Sequence, residues 1–88
     1  MPAYAIDYAP SAAKELAKLD TKTRKRVITV IESLAKTPVP PGVDYMHQKE
    51  FRGAYRVRAG DYRIIYEVHH GRMLVFVIKI GDRREVYR

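Results

Sequence analysis

The chain has 88 residues, a formal net charge of +7 and a sequence pI near 9.9, and 47% of its residues are hydrophobic. This length and composition predict one small globular domain, residues 1–88, with a single modest core. The absence of cysteine excludes disulfides, thiolate nucleophiles and cysteine zinc sites, and no apolar run approaches the roughly 20 residues that span a bilayer. Because the start does not resemble a signal peptide either, the sequence predicts a soluble, cytoplasmic protein with no membrane partner.

The first half of the chain is predicted to be a strand followed by two helices. Alternating apolar residues over positions 4–8 indicate a short strand, and helical spacing after Pro10 indicates a helix that ends near Asp20. Asp20 or Thr21 can cap a second helix. Because almost no linker separates the helices, we expect an antiparallel helical hairpin. The apolar stripe of the second helix consists of Val27, Ile28, Ile31, Leu34 and Ala35.

The start of the second predicted helix is crowded with positive charge, at Lys22, Arg24, Lys25 and Arg26. The helix macrodipole disfavours cations at this end. These side chains form either a solvated face or a contact with RNA or an acidic partner, and the sequence leaves both interpretations open.

The second half is predicted to be a proline-rich connector, an irregular segment over residues 43–54 and an antiparallel three-stranded meander. Residues 55–68 alternate cationic and apolar side chains around Gly60-Asp61, which is typical of a β-hairpin. Residues 73–80 are apolar on both faces and should form an inner strand. The predicted fold class is therefore α+β, a small sandwich with both helices on one face of the sheet.

Arginines on the predicted hairpin have no evident structural use. With Gly60-Asp61 as a two-residue loop, Arg56 and Arg58 share a face with Arg63, and Arg58 lies directly opposite Arg63. Like charges opposed across a ladder destabilise a sheet by roughly 0.2–1 kcal/mol. A bound polyanion would explain their presence. Arginine also dominates the basic residues from Lys49 onward, and its planar fork suits phosphate.

Most enzyme templates do not fit this chain. No Ser/His/Asp arrangement stands out, the glycines are scattered, and His69 and His70 have no third ligand near them in sequence, so no cofactor or metal is expected. What remains is a set of permanent cations and one aromatic residue. Such a set can stabilise the charge that develops when an RNA 2′-OH attacks the adjacent phosphorus, or it can simply bind nucleic acid or an acidic peptide. Its members are Arg56, Arg58, Arg63, Arg83 and Tyr87.

The sequence resembles the RelE branch of the RelE/ParE toxin superfamily in the hairpin over residues 55–66 and in the later segment over residues 77–87. The resemblance covers nearly the whole chain and includes Phe51-Arg52-Gly53 before the hairpin. It implies the toxin of a type II toxin-antitoxin pair that cleaves mRNA in the ribosomal A site. The implied partners are mRNA on the ribosome, rRNA, and a cognate antitoxin that is acidic, partly disordered and folds on binding.

The resemblance also implies roles for single residues. Arg63 matches an arginine that contacts the scissile phosphate, Arg83 one proposed to act on the leaving 5′ oxygen, and Tyr87 a tyrosine that stacks on or positions the base. Arg56 and Arg58 fall where the best-known members carry two lysines, one of them a proposed general base. The expected RNA-binding residues are Lys49, Arg52, Arg84 and Arg88.

Arginine at the lysine positions changes the expected chemistry, because arginine stays protonated in proteins and is a poor base. We therefore expect Arg56 and Arg58 to stabilise charge. Tyr87 is the hypothetical proton acceptor, with Glu85 as the alternative. The ParE branch shares the fold but is associated with DNA gyrase and lacks the catalytic tail. A ParE-like gyrase inhibitor and a non-catalytic basic RNA-binding module therefore remain the alternative functions.

Overall fold

The computed structural model describes residues 3–82. Within that range the chain forms two α-helices and one five-stranded sheet, with the strand order β1-β5-β4-β3-β2. The elements are β1 (Ala5–Tyr8), α1 (Pro10–Ala17), α2 (Thr21–Ser33), β2 (Asp44–Tyr45), β3 (Tyr55–Ala59), β4 (Tyr62–His69) and β5 (Leu74–Asp82). The predicted α+β class and the order of strand, two helices and antiparallel meander are confirmed. No helix in residues 3–82 has the length and apolar character needed to cross a membrane.

Two features of the sheet were not predicted. β1 pairs with β5 in the parallel direction, while every other pairing is antiparallel. The segment over residues 43–54, expected to be irregular, contains the short edge strand β2, which pairs with β3 and places Asp44 opposite Arg56. A two-residue strand carries too little alternation to be recognised from the sequence.

The predicted helix starts hold because local sequence sets them, whereas α1 ends at Ala17 and α2 at Ser33, two to three residues before the predicted ends. Pro10 occupies the start of α1, where its missing N–H costs no hydrogen bond, and the Asp20 side chain accepts a hydrogen bond from the Thr23 amide at the start of α2. The Arg24 guanidinium turns back and donates to the carbonyls of Leu16, Ala17 and Leu19, at 3.3, 3.2 and 2.7 Å. Arg24 therefore supplies hydrogen bonds to carbonyl groups that have no partner within the helix at the end of α1. It is not part of a solvated face.

The main core lies between the helices and one face of the sheet. Apolar residues of α1 and α2 pack there against the inward-facing positions of β3, β4 and β5. Because side chains alternate along a strand, each inward residue is followed by one on the opposite face. The buried members of this core are Ala12, Val27, Ile31, Leu34, Ala59, Ile64, Tyr66, Val75, Val77 and Ile80.

A second, smaller cluster covers part of the opposite face of the sheet. Met46, Ala54 and Ile65 are buried in it, and Phe51 and Ile78 pack against them. Ile65 is the register partner of Arg56, so the cluster shares its face with the hairpin arginines. This second cluster gives β5 apolar cover on both faces, as its sequence predicted.

Tyr66 connects the sheet to the proline-rich connector. Its ring is fully buried, and its hydroxyl donates a hydrogen bond of 2.7 Å to the Pro38 carbonyl. Burial raises the pKa of the Tyr66 hydroxyl well above its ordinary value, and the neighbouring Tyr55 raises it further. The connector is thus held against the core by a neutral, hydrogen-bonded phenol.

Glu15 of α1 completes the edge of β5. The pairing of β1 with β5 ends at Tyr8 and Val77, which leaves the following part of β5 without a strand on that side. The Glu15 carboxylate accepts hydrogen bonds from the Ile80 amide at 2.9 Å and from Lys79 Nζ at 3.3 Å. This contact holds the end of β5 in the sheet, where Gly81 is the register partner of Arg63.

Candidate functional site

The three hairpin arginines meet at one cleft. Arg56, Arg58 and Arg63 line it together with Gly42 and Asp44, and its volume is about 260 Å³. We call it the arginine cleft. The loop at Gly60-Asp61 and the pairing of Arg58 with Arg63 are those predicted from the sequence.

The three arginines differ in burial. Arg63 is only 4% exposed, Arg58 is exposed, and the Arg56 side chain is 15% exposed. The guanidinium of Arg63 remains charged when buried, because arginine does not lose its proton in proteins. Its charge is screened less by solvent than that of an exposed arginine, so it acts more strongly on an anion bound in the cleft.

Asp44 is a member of the cleft that sequence reasoning missed. Its Oδ2 accepts a hydrogen bond of 2.8 Å from Arg56 Nη2. This bond is the main cause that holds the pKa of the Asp44 carboxyl below its usual value, and the charges of Arg56, Arg58 and Arg63 lower it further. Only the β2–β3 pairing brings Asp44 to Arg56, so nothing local in the sequence signals the contact.

The predicted RNA-binding residues Lys49 and Arg52 lie in the segment between β2 and β3, and both are exposed. Lys49 begins the single helical turn Lys49–Phe51 and Arg52 follows it, and Phe51 of this turn packs on the second cluster. That cluster shares a sheet face with the arginine cleft, so the turn that carries Lys49 packs on the cleft's side of the sheet. The other predicted site residues, Arg83, Arg84, Tyr87 and Arg88, lie outside the described residues.

The basic start of α2 divides into different environments. Lys22 and Arg26 are exposed and line a second cleft of about 220 Å³ beside the hairpin loop, together with Ala59, Asp61 and Tyr62, whereas Arg24 is used within the fold. The Arg26 guanidinium lies so close to Gly60 that a Cβ there would be 2.9 Å from Nη1. Gly60 also has a φ of +62°, which further favours glycine.

The adjacent histidines have separate partners. His69 Nε2 lies 2.9 Å from Glu67 Oε1, and His70 Nδ1 lies 2.7 Å from the Tyr4 hydroxyl. Within residues 3–82, no group of three or more His, Cys, Asp or Glu side chains could hold a metal ion.

The repulsion between Arg58 and Arg63, which face each other across the hairpin, should lower the stability of the toxin. Arg58→Gln removes one charge of the pair with Arg63, so we expect the free energy of unfolding in urea to rise by roughly 0.2–1 kcal/mol at low salt. The gain should shrink in 1 M salt, which screens exposed charges. Arg72→Gln, an equal charge change in an exposed turn, is the control and should change stability less. A less stable Arg58→Gln would contradict the prediction.

Comparison with known proteins identifies the family to which this chain belongs. Residues 6–87 match the model of the ParE toxin of type II toxin-antitoxin systems, parDE. The chain belongs to the RelE/ParE toxin family. The toxin is 31% identical, over an alignment of 93 residues, to the mRNA interferase toxin RelE of Escherichia coli K12, covering 97% of this chain and 90% of that protein. It is 23% identical to toxin RelG of Mycobacterium tuberculosis, covering 97% of each.

Solved structures of toxin-antitoxin complexes share the fold of this toxin. The toxin chain of the M. tuberculosis RelBE2 complex superimposes with a TM-score of 0.82 at 20% identity, covering 94% of each chain. That of the intact E. coli RelBE complex gives a TM-score of 0.77 at 26% identity, covering 91% of this chain and 96% of the other. The predicted resemblance to RelE is therefore confirmed, and the protein is a RelE-like toxin of a type II toxin-antitoxin system.

Proposed function

We propose that this toxin is an endoribonuclease that cleaves mRNA in the ribosomal A site without a metal ion, and therefore acts in the cytoplasm. The observation that carries the proposal is the convergence of Arg56, Arg58 and Arg63 on one cleft. The E. coli relative at 31% identity is named an mRNA interferase, which supports the same chemistry.

The arginine cleft suits a phosphodiester in its transition state. When the 2′-OH attacks phosphorus, negative charge grows on the phosphoryl oxygens, and preorganised donors that meet this charge are usually the largest catalytic contribution. Arginine forks can bind two such oxygens at once. Buried Arg63 has the charge that solvent screens least, and exposed Arg58 is suited to first contact with the RNA backbone. Lys49, Arg52, Arg84 and Arg88 would bind the flanking RNA.

The proton of the 2′-OH needs an acceptor other than the cleft arginines. In the proposed reaction the 2′ oxygen bonds to phosphorus, the bond to the 5′ oxygen breaks, and a 2′,3′-cyclic phosphate forms. Tyr87, ionised beside the arginines, accepts the 2′ proton, and the leaving 5′ oxygen, whose negative charge Arg83 stabilises, takes a proton from water. Tyr87→Phe should then reduce the single-turnover rate on ribosome-bound mRNA by roughly 100-fold or more, the usual contribution of a general base. Full activity in Tyr87→Phe would exclude this role.

We also propose a cognate antitoxin as the partner that inhibits the toxin. Solved relatives include complexes of RelE with RelB. A toxin of net charge +7 with a cationic cleft favours an acidic segment that is partly disordered and folds on binding. Copurification of an acidic protein that stops RNA cleavage is the expected result. A complex that still cleaves RNA at the rate of the free toxin would contradict inhibition at this site.

The deciding experiment compares naked mRNA with the same mRNA on programmed ribosomes. Purified toxin is added to each, and cuts are located by primer extension. We expect cuts only on the ribosome, because positioning of the substrate can lower a barrier by up to roughly 7–11 kcal/mol. Equal cutting of naked mRNA would contradict ribosome dependence. No cutting in either sample, by protein with a folded circular dichroism spectrum, would contradict the endoribonuclease itself.

The alternative function is gyrase inhibition, and a specific observation favours it. The family model that matches residues 6–87 is described as the ParE toxin. Gyrase-dependent DNA cleavage by the purified toxin, without RNA cleavage, would select this function. RNA affinity without either activity would select a non-catalytic RNA-binding module.

A further inference from the structure

Asp44 is an anion at a cleft that is otherwise lined by cations. The lining side chains carry three positive charges and one negative charge. The Asp44 side chain is 61% exposed, whereas that of its partner Arg56 is 15% exposed. The carboxylate therefore sits toward solvent, and the guanidinium that it holds lies deeper.

This ion pair has little structural justification. Because the Asp44 side chain is 61% exposed, solvent screens its pairing with Arg56 and limits what the pair adds to stability, and β2, which carries Asp44, is only two residues long. An acid beside three arginines also opposes the phosphate that the cleft is suited to bind. Because the pair of Asp44 with Arg56 adds little to folding and weakens substrate binding, we look for its role in the reaction.

We propose that Asp44 is a positioning residue that orients the Arg56 guanidinium in the cleft and weakens the cleft's hold on RNA phosphates. The proposal rests on the proposed RNA-cleaving function. It assigns Asp44 no contact with the reacting atoms and no proton transfer.

Two physical effects follow from the 2.8 Å contact between Asp44 Oδ2 and Arg56 Nη2. A long arginine side chain has many rotamers, and fixing it before the reaction removes an entropic cost from the transition state. The carboxylate also lowers the positive potential that RNA meets on arrival. The pKa of the Asp44 carboxyl is lowered mainly by its hydrogen bond from Arg56, so the carboxylate is charged at neutral pH.

The test compares Asp44→Asn with Asp7→Asn. Asp7 lies on β1, at the opposite edge of the sheet from β2, and is exposed, so the control changes net charge equally without touching the cleft. For Asp44→Asn we expect about tenfold slower single-turnover cleavage on ribosomes, because the Arg56 guanidinium loses its ion pair with Asp44 and is less well oriented. We also expect about threefold or more tighter binding of a 2′-O-methylated single-stranded RNA, which cannot be cleaved, with a steeper salt dependence.

Two further variants separate positioning from damage to the fold. Asp44→Glu keeps the charge and should restore RNA affinity to that of the parent toxin and recover part of the rate. In an Arg56→Gln background, Asp44→Asn should no longer change the cleavage rate, because there is no guanidinium to orient.

The same experiments show whether a failure concerns the role of Asp44 or the endoribonuclease activity itself. If the parent toxin cleaves no RNA, the endoribonuclease proposal fails, and with it the positioning role of Asp44. If the parent toxin cleaves and Asp44→Asn matches Asp7→Asn in rate and affinity, the inference about Asp44 alone is overturned. Slower cleavage that persists in the Arg56→Gln background would overturn the positioning role, and unchanged RNA affinity would overturn the electrostatic one.

Discussion

Arg63→Gln is expected to lower the single-turnover rate of mRNA cleavage on ribosomes by roughly 100- to 1,000-fold, the usual cost of removing one preorganised donor to a developing oxyanion. Arg63 is only 4% exposed and lies opposite Arg58 in the arginine cleft. Its charge is therefore both fixed in place and poorly screened. Glutamine keeps a polar side chain but is shorter and removes the charge and the fork.

Controls for this prediction come from the same chain. Arg72→Gln makes an equal charge change in the exposed turn His70–Arg72, at the far end of β4 from the Gly60-Asp61 loop, and should leave the rate nearly unchanged. Arg63→Lys keeps the charge but loses the bidentate fork, so an intermediate rate is expected. Cleavage by Arg63→Gln at the rate of Arg72→Gln would remove Arg63 from the reaction.

Tyr66→Ala is expected to destabilise the toxin by about 3–5 kcal/mol, the cost found for truncating large buried aromatic residues. Tyr66 is fully buried in the main core and anchors the connector through Pro38. A small domain has a total stability of only about 5–15 kcal/mol, so this loss removes a large share of the free energy that keeps the toxin folded. Tyr66→Phe, which loses only the hydrogen bond, should cost about 1 kcal/mol.

Urea unfolding monitored by circular dichroism measures both changes. Tyr45→Ala is the control, because Tyr45 is 49% exposed on the edge strand β2 and its loss should matter much less. Equal destabilisation by Tyr66→Ala and Tyr45→Ala would mean that burial in the main core is not what makes Tyr66 important.

The same residue predicts how stability depends on alkaline pH. The pKa of Tyr66 is raised in the folded state, chiefly by burial, while in the unfolded chain it returns to about 10. The neutral phenol therefore stabilises the fold fully below pH 10, and this contribution is lost as pH rises above 10. Tyr8, whose pKa burial also raises, adds to the same slope. Tyr66→Phe should show a shallower loss of stability between pH 9 and pH 11 than the parent toxin.

RNA cleavage and gyrase inhibition are distinguished by the chemistry of the site and not by the fold. The family model is described as ParE, whereas the curated relative at 31% identity is an mRNA interferase. Both are toxins of type II systems, so the shared scaffold does not separate them. The arginine cleft favours a phosphodiester substrate, and the cleavage assay with Arg63→Gln tests that preference directly.

Local patterns in the sequence were sufficient to determine the helices, the hairpin loop and the pairing of Arg58 with Arg63. Pro10 starts α1 through its fixed backbone angle and Asp20 caps α2 through the nearby Thr23 amide, and a two-residue loop sets the register of the strands beside it. The roles predicted for Arg83 and Tyr87 came from the family resemblance and stay predictions, since both lie outside the described residues.

Only the tertiary structure decided how the site is completed. The contact of Asp44 with Arg56 and the second cluster around Ile65 depend on β2 and on the segment that packs beside it, and Arg63 is buried between β3 and β5, the strands that flank it. The parallel pairing of β1 with β5 likewise joins residues more than 60 positions apart, such as Ala5 and Leu74. Such contacts arise from packing between distant segments, and hydrophobic periodicity within one segment carries no information about which other segment will lie beside it.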